Sequence, residues 1–425
     1  MTDNQKNTLP KNWDEKKLED LISYAIGGDW GKDENYQDAD YDFAYCIRGS
    51  ELKNWKEEKG KSASLRKIKK SNIIKRKLQV GDILVEISGG GPEQPVGRTV
   101  VIDQAVLNFE SHITKICTNF FRLIRPTEDV DSSFLNFFLV FFYFSGEIGK
   151  FQSGSNNLRN LKFPDYLKII IPLPPLPEQQ KIVQKIESLF TELETGTKAL
   201  KTALNQLKIY RQAVLNHFLS DDNWKTVKLG DVCDRIFDGP FGSNLKSSDY
   251  TSSGVQVVRL ENIGFMEFFE DKETFVNEDK YQSLIKHEVF EGDIIFSSFI
   301  GDYIRTTILP NLKYKAIAKA DCFCVRPKEK FIDKQFLTFV LSSIRTQKIL
   351  VLAVHGATRP RINTTQLKSF SFPLPSLEIQ TQIVAEIEKR MVAADALEAS
   401  LKSQLIKAEN LRQSILKRAF EGKLV

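Results

Sequence analysis

The chain has 425 residues, and its 60 Lys and Arg against 55 Asp and Glu give a formal net charge of +5. This length predicts two to three domains, and so mild a basic balance does not by itself require nucleic acid as the partner. Five cysteines and a polar N-terminus without a signal-peptide pattern argue against a disulfide framework and favour the reducing cytoplasm.

Residues 1–171 are predicted to form a first globular domain of short strands, turns and helices. Its most apolar segment, Phe134–Phe144, is eleven residues long. Because a membrane span needs about 20 apolar residues, we expect this segment to be a buried core helix.

A basic stretch runs from Lys53 to Lys77, and within it only Glu57 and Glu58 oppose its charge. Counterion release would make such a cluster a phosphate-binding surface; the alternative is a solvated surface loop. The candidate DNA contacts of the first domain are Trp30, Lys32, Arg48, Arg66, Lys67, Lys69, Lys70, Arg76 and Arg98.

Residues 172–220 are predicted to be a stiff Pro-Leu-Pro linker followed by a long helix, with Pro177 in its first turn. Apolar residues repeat every seven positions, which is the pattern of a coiled-coil seam. About 43 residues of helix would give a rod about 65 Å long. The seam consists of Ile186, Leu193, Leu200, Leu207 and Val214, interleaved with Ile182, Leu189, Gly196, Ala203 and Tyr210.

The same organisation occurs a second time. The helical segment repeats from Pro373 at an offset of 201 residues, and Gly28-x-x-Gly31 and Gly81-Asp82-Ile83 return 211 residues later. Residues 221–372 are therefore predicted as a second globular domain, and 373–425 as a second linker and long helix. The second seam consists of Ile387, Ala394, Leu401, Ala408 and Ile415, interleaved with Ile383, Arg390, Leu397, Gln404 and Leu411.

The predicted fold class is α+β: two mixed α/β globules, each followed by a long helix, with the two helices pairing along their seams. The alternative is that both helices pack into one globular core. The candidate DNA contacts of the second globule are Phe241, Ser243, Asn244, Lys246, Arg259, Arg305, Arg359 and Arg361. Arg and Asn can each bond two base-edge atoms, although any one of them could instead be structural or bind phosphate.

No catalytic arrangement is apparent in the sequence. Cys322-x-Cys324 is too tightly spaced for a zinc knuckle, and Gly91–Arg98 lacks the Gly-Lys-Ser/Thr that holds phosphate and magnesium. Asp238-Gly-Pro-Phe241 has the wrong order for an aminomethyltransferase motif. We therefore predict no catalytic residue, cofactor site or metal site in this chain.

Two variable globules, each followed by a PLPPLxEQxxIVxxIE-like helix, resemble the specificity subunit of a type I restriction-modification enzyme. DGPFGSN at Asp238–Asn244, the VGDIL and EGDII turns at Val80 and Glu291, and LRQSILKRAFEGKL at Leu411–Leu424 are also similar to that family. The first copy departs from it, with Gly28-Asp29-Trp30-Gly31 in place of Gly-Pro-Phe-Gly.

This resemblance implies that the globules are target-recognition domains separated by an antiparallel helix pair with pseudo-two-fold symmetry. Each domain would read one half of a split DNA sequence, with half-sites about one duplex turn apart, ~34–36 Å. The chain would catalyse nothing. It would recruit two modification subunits that bind S-adenosylmethionine and methylate adenine, and restriction subunits that hydrolyse ATP with Mg. The polar helix faces Glu178–Glu187 and Glu378–Glu388 would be docking surfaces.

Two other function classes remain open at this point. One is a coiled-coil adaptor that does not bind DNA, which predicts no salt dependence of DNA affinity. The other is a single-chain DNA methyltransferase or nuclease with unrecognised motifs.

Overall fold

The computed structural model describes residues 9–91, 94–154, 158–221, 223–301, 303–354 and 360–425. The chain divides into two compact units, Met1–Ala199 with Gln404–Val425, and Leu200–Ser403. The division falls inside the two long helices. The domain limits predicted at residues 171, 220 and 372 were placed differently, at the junctions between a globule and a long helix. These limits stay predictions.

The first unit is a mixed α/β globule followed by a long helix, which continues into the second unit. Its strands are β1 (Asp14–Lys17), β2 (Ile22–Gly27), β3 (Tyr41–Ile47), β4 (Ser64–Lys69), β5 (Ile83–Glu86), β6 (Ser88–Gly90), β7 (Thr99–Val101), β8 (Thr114–Cys117), β9 (Phe121–Pro126), β10 (Gln152–Ser153), β11 (Arg159–Leu161) and β12 (Ile170–Leu173). Its helices are α1 (Trp55–Glu58), α2 (Lys70–Arg76), α3 (Gln104–Asn108), α4 (Ser132–Phe144), α5 (Phe163–Tyr166) and the long α6 (Leu176–Phe218).

The second unit repeats this order and is completed by the first part of a second long helix. Its strands are β13 (Lys225–Lys228), β14 (Cys233–Phe237), β15 (Tyr250–Thr251), β16 (Val255–Val258), β17 (Phe275–Val276), β18 (Glu288–Val289), β19 (Ile294–Ser297), β20 (Thr306–Ile308), β21 (Ala316–Ala318), β22 (Cys322–Pro327) and β23 (Ser371–Leu374). Its helices are α7 (Glu278–Leu284), α8 (Lys334–Ser342), α9 (Ile344–Leu352), α10 (Thr364–Ser369) and the long α11 (Leu377–Phe420).

Sheet topology confirms the internal repeat. The main antiparallel sheet has the order β2-β9-β5-β7 in the first unit and β14-β22-β19-β20 in the second. A further sheet in each unit contains one parallel pair, β3 with β8 and β16 with β21. The two units differ around these pairs, because β4 is added in the first unit while β15, β17 and β18 are added in the second.

An Asp–Arg fork explains two of the repeated motifs. Nε and Nη2 of Arg125 lie 2.7 and 3.0 Å from the two carboxylate oxygens of Asp82. Arg326 forms the same fork to Asp293, with both distances 2.7 Å. Both aspartates are buried, so each carboxylate, which water cannot solvate, is paired with an arginine. The Gly-Asp turn and the Arg-Pro strand end thus recur together because they bind each other.

Helix α4 fills the core of the first unit, as its composition predicts. Phe134, Leu135, Phe138 and Leu139 are buried, and the rings of Phe134 and Phe138 lie 5.4 and 5.2 Å from that of Phe420. The end of the second long helix therefore belongs to the same hydrophobic core. No helix among the described residues is long and apolar enough to cross a membrane.

Strands β12 and β23 extend into the Pro-Leu-Pro segments and end at Leu173 and Leu374, so that two residues then link each strand to its long helix. Strand β12 pairs with β1, and β23 pairs with β13, each as an antiparallel two-stranded ribbon. Proline is tolerated in an edge strand because its missing N–H need not donate to a neighbour. Pro177 does lie in the first turn of α6, as predicted.

The long helices pair in antiparallel fashion inside each unit. In the first unit, Ile182 and Ile186 of α6 share a core with Ile415 of α11. In the second unit, Arg211 binds Asp395 and Glu398 through two 2.6 Å contacts, whereas Phe218, further along α6, lies under Arg390.

The first row of the predicted seam holds better than the interleaved row, in which Ile182 and Ile383 are buried. Ile186, Leu207, Val214, Ile387 and Leu401 are buried, as the seam predicts. In the interleaved row the exposed positions are Gly196, Tyr210, Arg390, Leu397, Gln404 and Leu411. A helix of 3.6 residues per turn drifts away from a strict seven-residue repeat. Two paired helices also bury only a narrow stripe of each helix surface, so part of the second row is left exposed.

A buried glutamine amide fixes the start of each long helix to its globule. Nε2 of Gln380 donates to the carbonyl oxygens of Phe331 and Pro375 at 3.2 and 2.9 Å, and its Oε1 accepts from the Asp333 N–H at 2.8 Å. Gln179 makes the same three contacts in the first unit. Both N–H groups and the carbonyl oxygen of each amide are therefore used.

We expect Gln380→Leu to lower the free energy of unfolding by about 3 kcal/mol, because it leaves one N–H and two carbonyls without partners in a buried place. Gln382→Leu, two residues further on the exposed face of the same helix, is the matched control. Urea unfolding of both variants measures the difference. Equal losses in the two variants would contradict this role.

Candidate nucleic-acid interface

The repeated Gly-x-x-Gly loop presents an aromatic side chain in each unit. A Cβ on Gly28 would lie 2.1 Å from the Thr118 carbonyl oxygen, and one on Gly239 would lie 2.1 Å from the Lys319 carbonyl carbon. Only glycine allows the loop to pass so close to the backbone that follows β8 or β21. The second glycines, Gly31 and Gly242, have φ of +60° and +52°.

This backbone turns Trp30 and Phe241, at equivalent loop positions, toward solvent with 36% and 49% of their surface exposed. An arginine covers each ring. The Arg66 guanidinium carbon lies 4.3 Å from the centre of Trp30, and that of Arg361 lies 5.2 Å from the centre of Phe241.

The structure brings four predicted contacts of the first unit together in one surface. Lys32 and Lys67 are joined by two backbone hydrogen bonds of 2.9 and 3.1 Å, beside the Trp30–Arg66 pair. Lys67 Nζ lies 3.6 Å from the centre of the exposed Phe43 ring. Aromatic faces and cations side by side can stack on bases and attract phosphates. We call Trp30, Lys32, Phe43, Arg66 and Lys67 the first-unit surface.

The basic stretch is regular structure rather than a loop, and carboxylates from outside it neutralise part of its charge. It contains α1, β4 and α2. Lys56 pairs with Glu194, Lys59 with Asp103, and Arg66 with Asp33. These acids are distant in sequence, so counting only Glu57 and Glu58 underestimated the opposing charge. Lys69 and Lys70 are exposed at the junction of β4 and α2.

Three other predicted contacts of the first unit have internal partners. Arg48 binds the buried Glu51, with Nη2 2.8 Å from its carboxylate. Arg98 binds the buried Glu86 at 2.8 Å through Nε, and this hydrogen bond raises the pKa of Arg98. Arg76 Nε donates to the Gly27 carbonyl at 2.8 Å. Each of these arginines thus has an acceptor inside the fold. The acceptor is a buried carboxylate for Arg48 and Arg98 and a backbone carbonyl for Arg76.

The predicted contacts of the second unit divide in the same way. Arg305 donates to the Leu260 carbonyl at 2.9 Å, and Arg259 pairs with Glu261 at 3.0 Å. Ser243, Asn244 and Lys246 are exposed on the turn that follows Phe241. Arg359 lies outside the described residues.

Arg361 contacts two aromatic rings and a carboxylate. Its guanidinium carbon is 5.2 Å from the centre of Phe241 and 5.6 Å from that of Phe299, and Nη2 contacts the Asp321 carboxylate. We call Phe241, Phe299, Asp321 and Arg361 the second-unit surface. Sequence reasoning missed Phe43, Phe299 and Asp321. Each of them lies in a strand or turn that is separated in sequence from the lysine or arginine that it contacts.

Asp238 ties the Phe241 loop to the turn that contains Asp321. Its Oδ1 accepts from the N–H groups of Gly239 at 2.7 Å and Asp321 at 2.9 Å. Burial raises the pKa of Asp238 to about 6, even though these hydrogen bonds act in the opposite direction. The loop is therefore held by a carboxyl group that takes up a proton more readily than an ordinary aspartate.

Neither a metal cluster nor a reactive thiol is found among the described residues. No group of three or more His, Cys, Asp or Glu there could hold a metal ion. All five cysteines are free and buried. Burial raises the pKa of each thiol, to about 12 for Cys46, Cys117 and Cys233, which makes them weak nucleophiles near neutral pH.

The family model of the type I restriction modification DNA specificity domain matches this chain twice, over residues 10–202 and 221–407. The chain belongs to this family. The two matches coincide with the two copies of the repeat, each including a globule and part of its long helix.

Curated relatives and solved structures agree with this assignment. The type I restriction enzyme StySPI specificity subunit of Salmonella potsdam is 24% identical over 98% of this chain and 90% of the relative. The EcoKI specificity subunit of Escherichia coli K12 has the same identity and coverage. These matches span nearly the whole chain, so the resemblance found in the sequence motifs is confirmed.

Two solved structures share the fold. A chain of a type I R-M system, solved for its complex assembly and conformational transition, matches with a TM-score of 0.71 at 20% identity, covering 98% of this chain and all of that one. The HsdS subunit from Thermoanaerobacter tengcongensis matches with a TM-score of 0.56 at 20% identity over the full length of both.

We expect Asp238→Asn to change how stability depends on pH. Between about pH 4 and 6 the folded wild type holds a proton that the unfolded chain has released, so its unfolding free energy falls as pH rises through this window. Asparagine can accept the same two hydrogen bonds through its Oδ1 without ionising. Urea unfolding of both proteins from pH 4 to pH 7 should show the variant gaining relative stability as pH rises. A constant difference would contradict the raised pKa.

Proposed function

We propose that this chain is the sequence-specificity subunit of a type I restriction-modification complex, and that each unit reads one half of a bipartite DNA target. One observation carries the proposal: in both units the same Gly-x-x-Gly loop presents an aromatic ring that an arginine from another segment covers, among side chains that otherwise differ. One scaffold with two different surfaces suits the reading of two different half-sites.

Affinity and selectivity would come from different residues. Lys69 and Lys70, exposed and close to the first-unit surface, would bind phosphates. The arginine and aromatic side chains of both surfaces would face the bases, because planar donors and rings can distinguish base edges.

The chain would act as a scaffold without catalysis. Two modification subunits would bind S-adenosylmethionine and methylate adenine, and restriction subunits would hydrolyse ATP with Mg. The modification subunits would extract the target adenine from the duplex while this chain holds the DNA. Such a complex would work in the cytoplasm, where the chromosome is.

The polar faces near the starts of the long helices would dock the modification subunits. Glu187, Glu378 and Glu388 are exposed there and carry this part of the proposal. Glu178 is already bound by the side chains of Asn12 and Trp13 at 2.8 Å, so it would contribute to the fold instead.

Genome-wide mapping of adenine methylation tests the function directly. A strain with this chain and its modification subunit should show a split motif with a fixed gap, and deletion of the chain should remove it. If no adenine motif depends on the chain while the modification subunit is expressed, the DNA-reading function is wrong and a coiled-coil adaptor becomes the better explanation.

The phosphate-binding role of the lysines has its own test. In the complex with the modification subunit, Lys69→Ala and Lys70→Ala should each weaken DNA binding equally for all sequences. Each should also lower the slope of log affinity against log salt by about one. Lys56→Ala is the matched control, because Glu194 already neutralises that lysine. Titrations between 50 and 200 mM salt measure the slopes; unchanged slopes in both variants would contradict the role.

A further inference from the structure

Arg361 is more exposed to solvent than Arg66, the arginine that covers the equivalent ring in the first unit. Its side chain is 42% exposed, compared with 14% for Arg66. Arg66 also donates through Nε to the Trp30 carbonyl at 3.1 Å. Among the described residues, the Asp321 carboxylate is the acceptor found for Arg361. A guanidinium has five N–H groups, so donors of Arg361 remain available to a ligand.

The Asp321 carboxylate that contacts Arg361 is itself held in place. Ser298 Oγ donates to its Oδ1 at 2.6 Å, and the Asp321 N–H donates to Asp238 at 2.9 Å. Ser298 is fully buried at the end of β19. The carboxylate therefore has a fixed position relative to the main sheet of the second unit, and it can act as a rigid support for the arginine.

Two aromatic rings lie beside the guanidinium and restrict its movement. Phe241 and Phe299 lie 5.2 and 5.6 Å from its central carbon, and the residues carrying them come from the Gly-x-x-Gly loop and from the segment after β19. Phe299 also bridges to Arg361 through the backbone. A guanidinium that packs on rings and binds a carboxylate cannot move to meet a phosphate. Its plane is fixed, however, so its remaining N–H groups point in defined directions.

The charge of this cluster favours a base edge over a phosphate. The Asp321 carboxylate offsets the positive charge of Arg361 and would repel a phosphate placed beside it. Guanine presents two neutral acceptors, O6 and N7, in the major groove, and a planar guanidinium can bond both at once. Arginine paired in this way with guanine is the most common specific contact to a base.

We propose that Arg361, supported by Asp321 and packed against Phe241 and Phe299, reads a guanine in the half-site bound by the second unit. This inference rests on the proposed function and makes it specific. It requires that one half of the methylated motif contain an essential guanine, and that its recognition depend on one side chain.

The test uses the complex of this chain with its modification subunit and the motif found by methylation mapping. Competition binding compares the cognate duplex with duplexes in which each guanine of the motif is replaced in turn. For Arg361→Ala, discrimination at one guanine of one half-site should fall by about 5- to 150-fold, the loss expected for one bidentate base contact. Discrimination in the other half-site should be unchanged.

Two further variants separate base reading from simple loss of charge or fold. Asp321→Gly removes the supporting carboxylate but suits the backbone, because Asp321 has φ of +73° and glycine adopts this region readily. It should weaken discrimination at the same guanine. Arg235→Ala is the control: Arg235 is an exposed arginine stacked on Phe237 at 4.2 Å, and its loss should leave discrimination intact.

Three results would overturn the inference. One is a motif without an essential guanine in either half. Another is an Arg361→Ala variant that binds all duplexes more weakly but keeps its discrimination, which would indicate a phosphate contact. The third is a loss of discrimination in both half-sites. If the wild-type complex shows no bipartite motif at all, the proposed function fails and this inference fails with it.

Discussion

The buried amides of Gln179 and Gln380 fix where each long helix begins relative to its globule. Each amide bonds the turn before a core helix, through Asp131 or Asp333, and also the carbonyl of the proline segment that leads into the long helix. Without this clamp, the start of the helix and the globule could shift against each other. The Gly-x-x-Gly loop is built on the same globule, so its direction relative to the helix depends on these hydrogen bonds.

Besides this glutamine contact, the two units share the features that fix the backbone and differ in the side chains that are exposed to solvent. The Asp–Arg forks, the glycines at positive φ and the order of the main sheet are the same in both. The differences are in the strands added beside the parallel pair and in the cations near the exposed aromatic residue. Lys32 and Lys67 lie beside the Trp30–Arg66 pair, whereas the ring of Phe299 lies beside the Phe241–Arg361 pair. A scaffold fixed by buried polar contacts can accept such changes, because none of those contacts extends to the variable surface.

The sequence was sufficient for those features that depend on periodicity and turn chemistry. It predicted the repeat, both long helices and the core helix at Phe134–Phe144. It did not show that each Pro-Leu-Pro segment begins at the end of a strand, because strand pairing depends on partners about 150 residues away. For the same reason it could not show that Arg98 binds Glu86 or that Asp321 supports Arg361. Composition identifies arginines, but only the fold shows which of them already have an acceptor.

This difference between free and paired cations determines what each can recognise. An exposed lysine such as Lys69 keeps its full charge and its mobility, so it adds affinity for any phosphate and is sensitive to salt. An arginine paired with a carboxylate has little net attraction for phosphate, and its value lies in the fixed direction of its remaining N–H groups. A surface that reads sequence needs both kinds, because mobile charge alone binds every duplex equally. Carboxylates such as Asp33 and Asp321 beside the arginines therefore favour selectivity at the cost of some affinity.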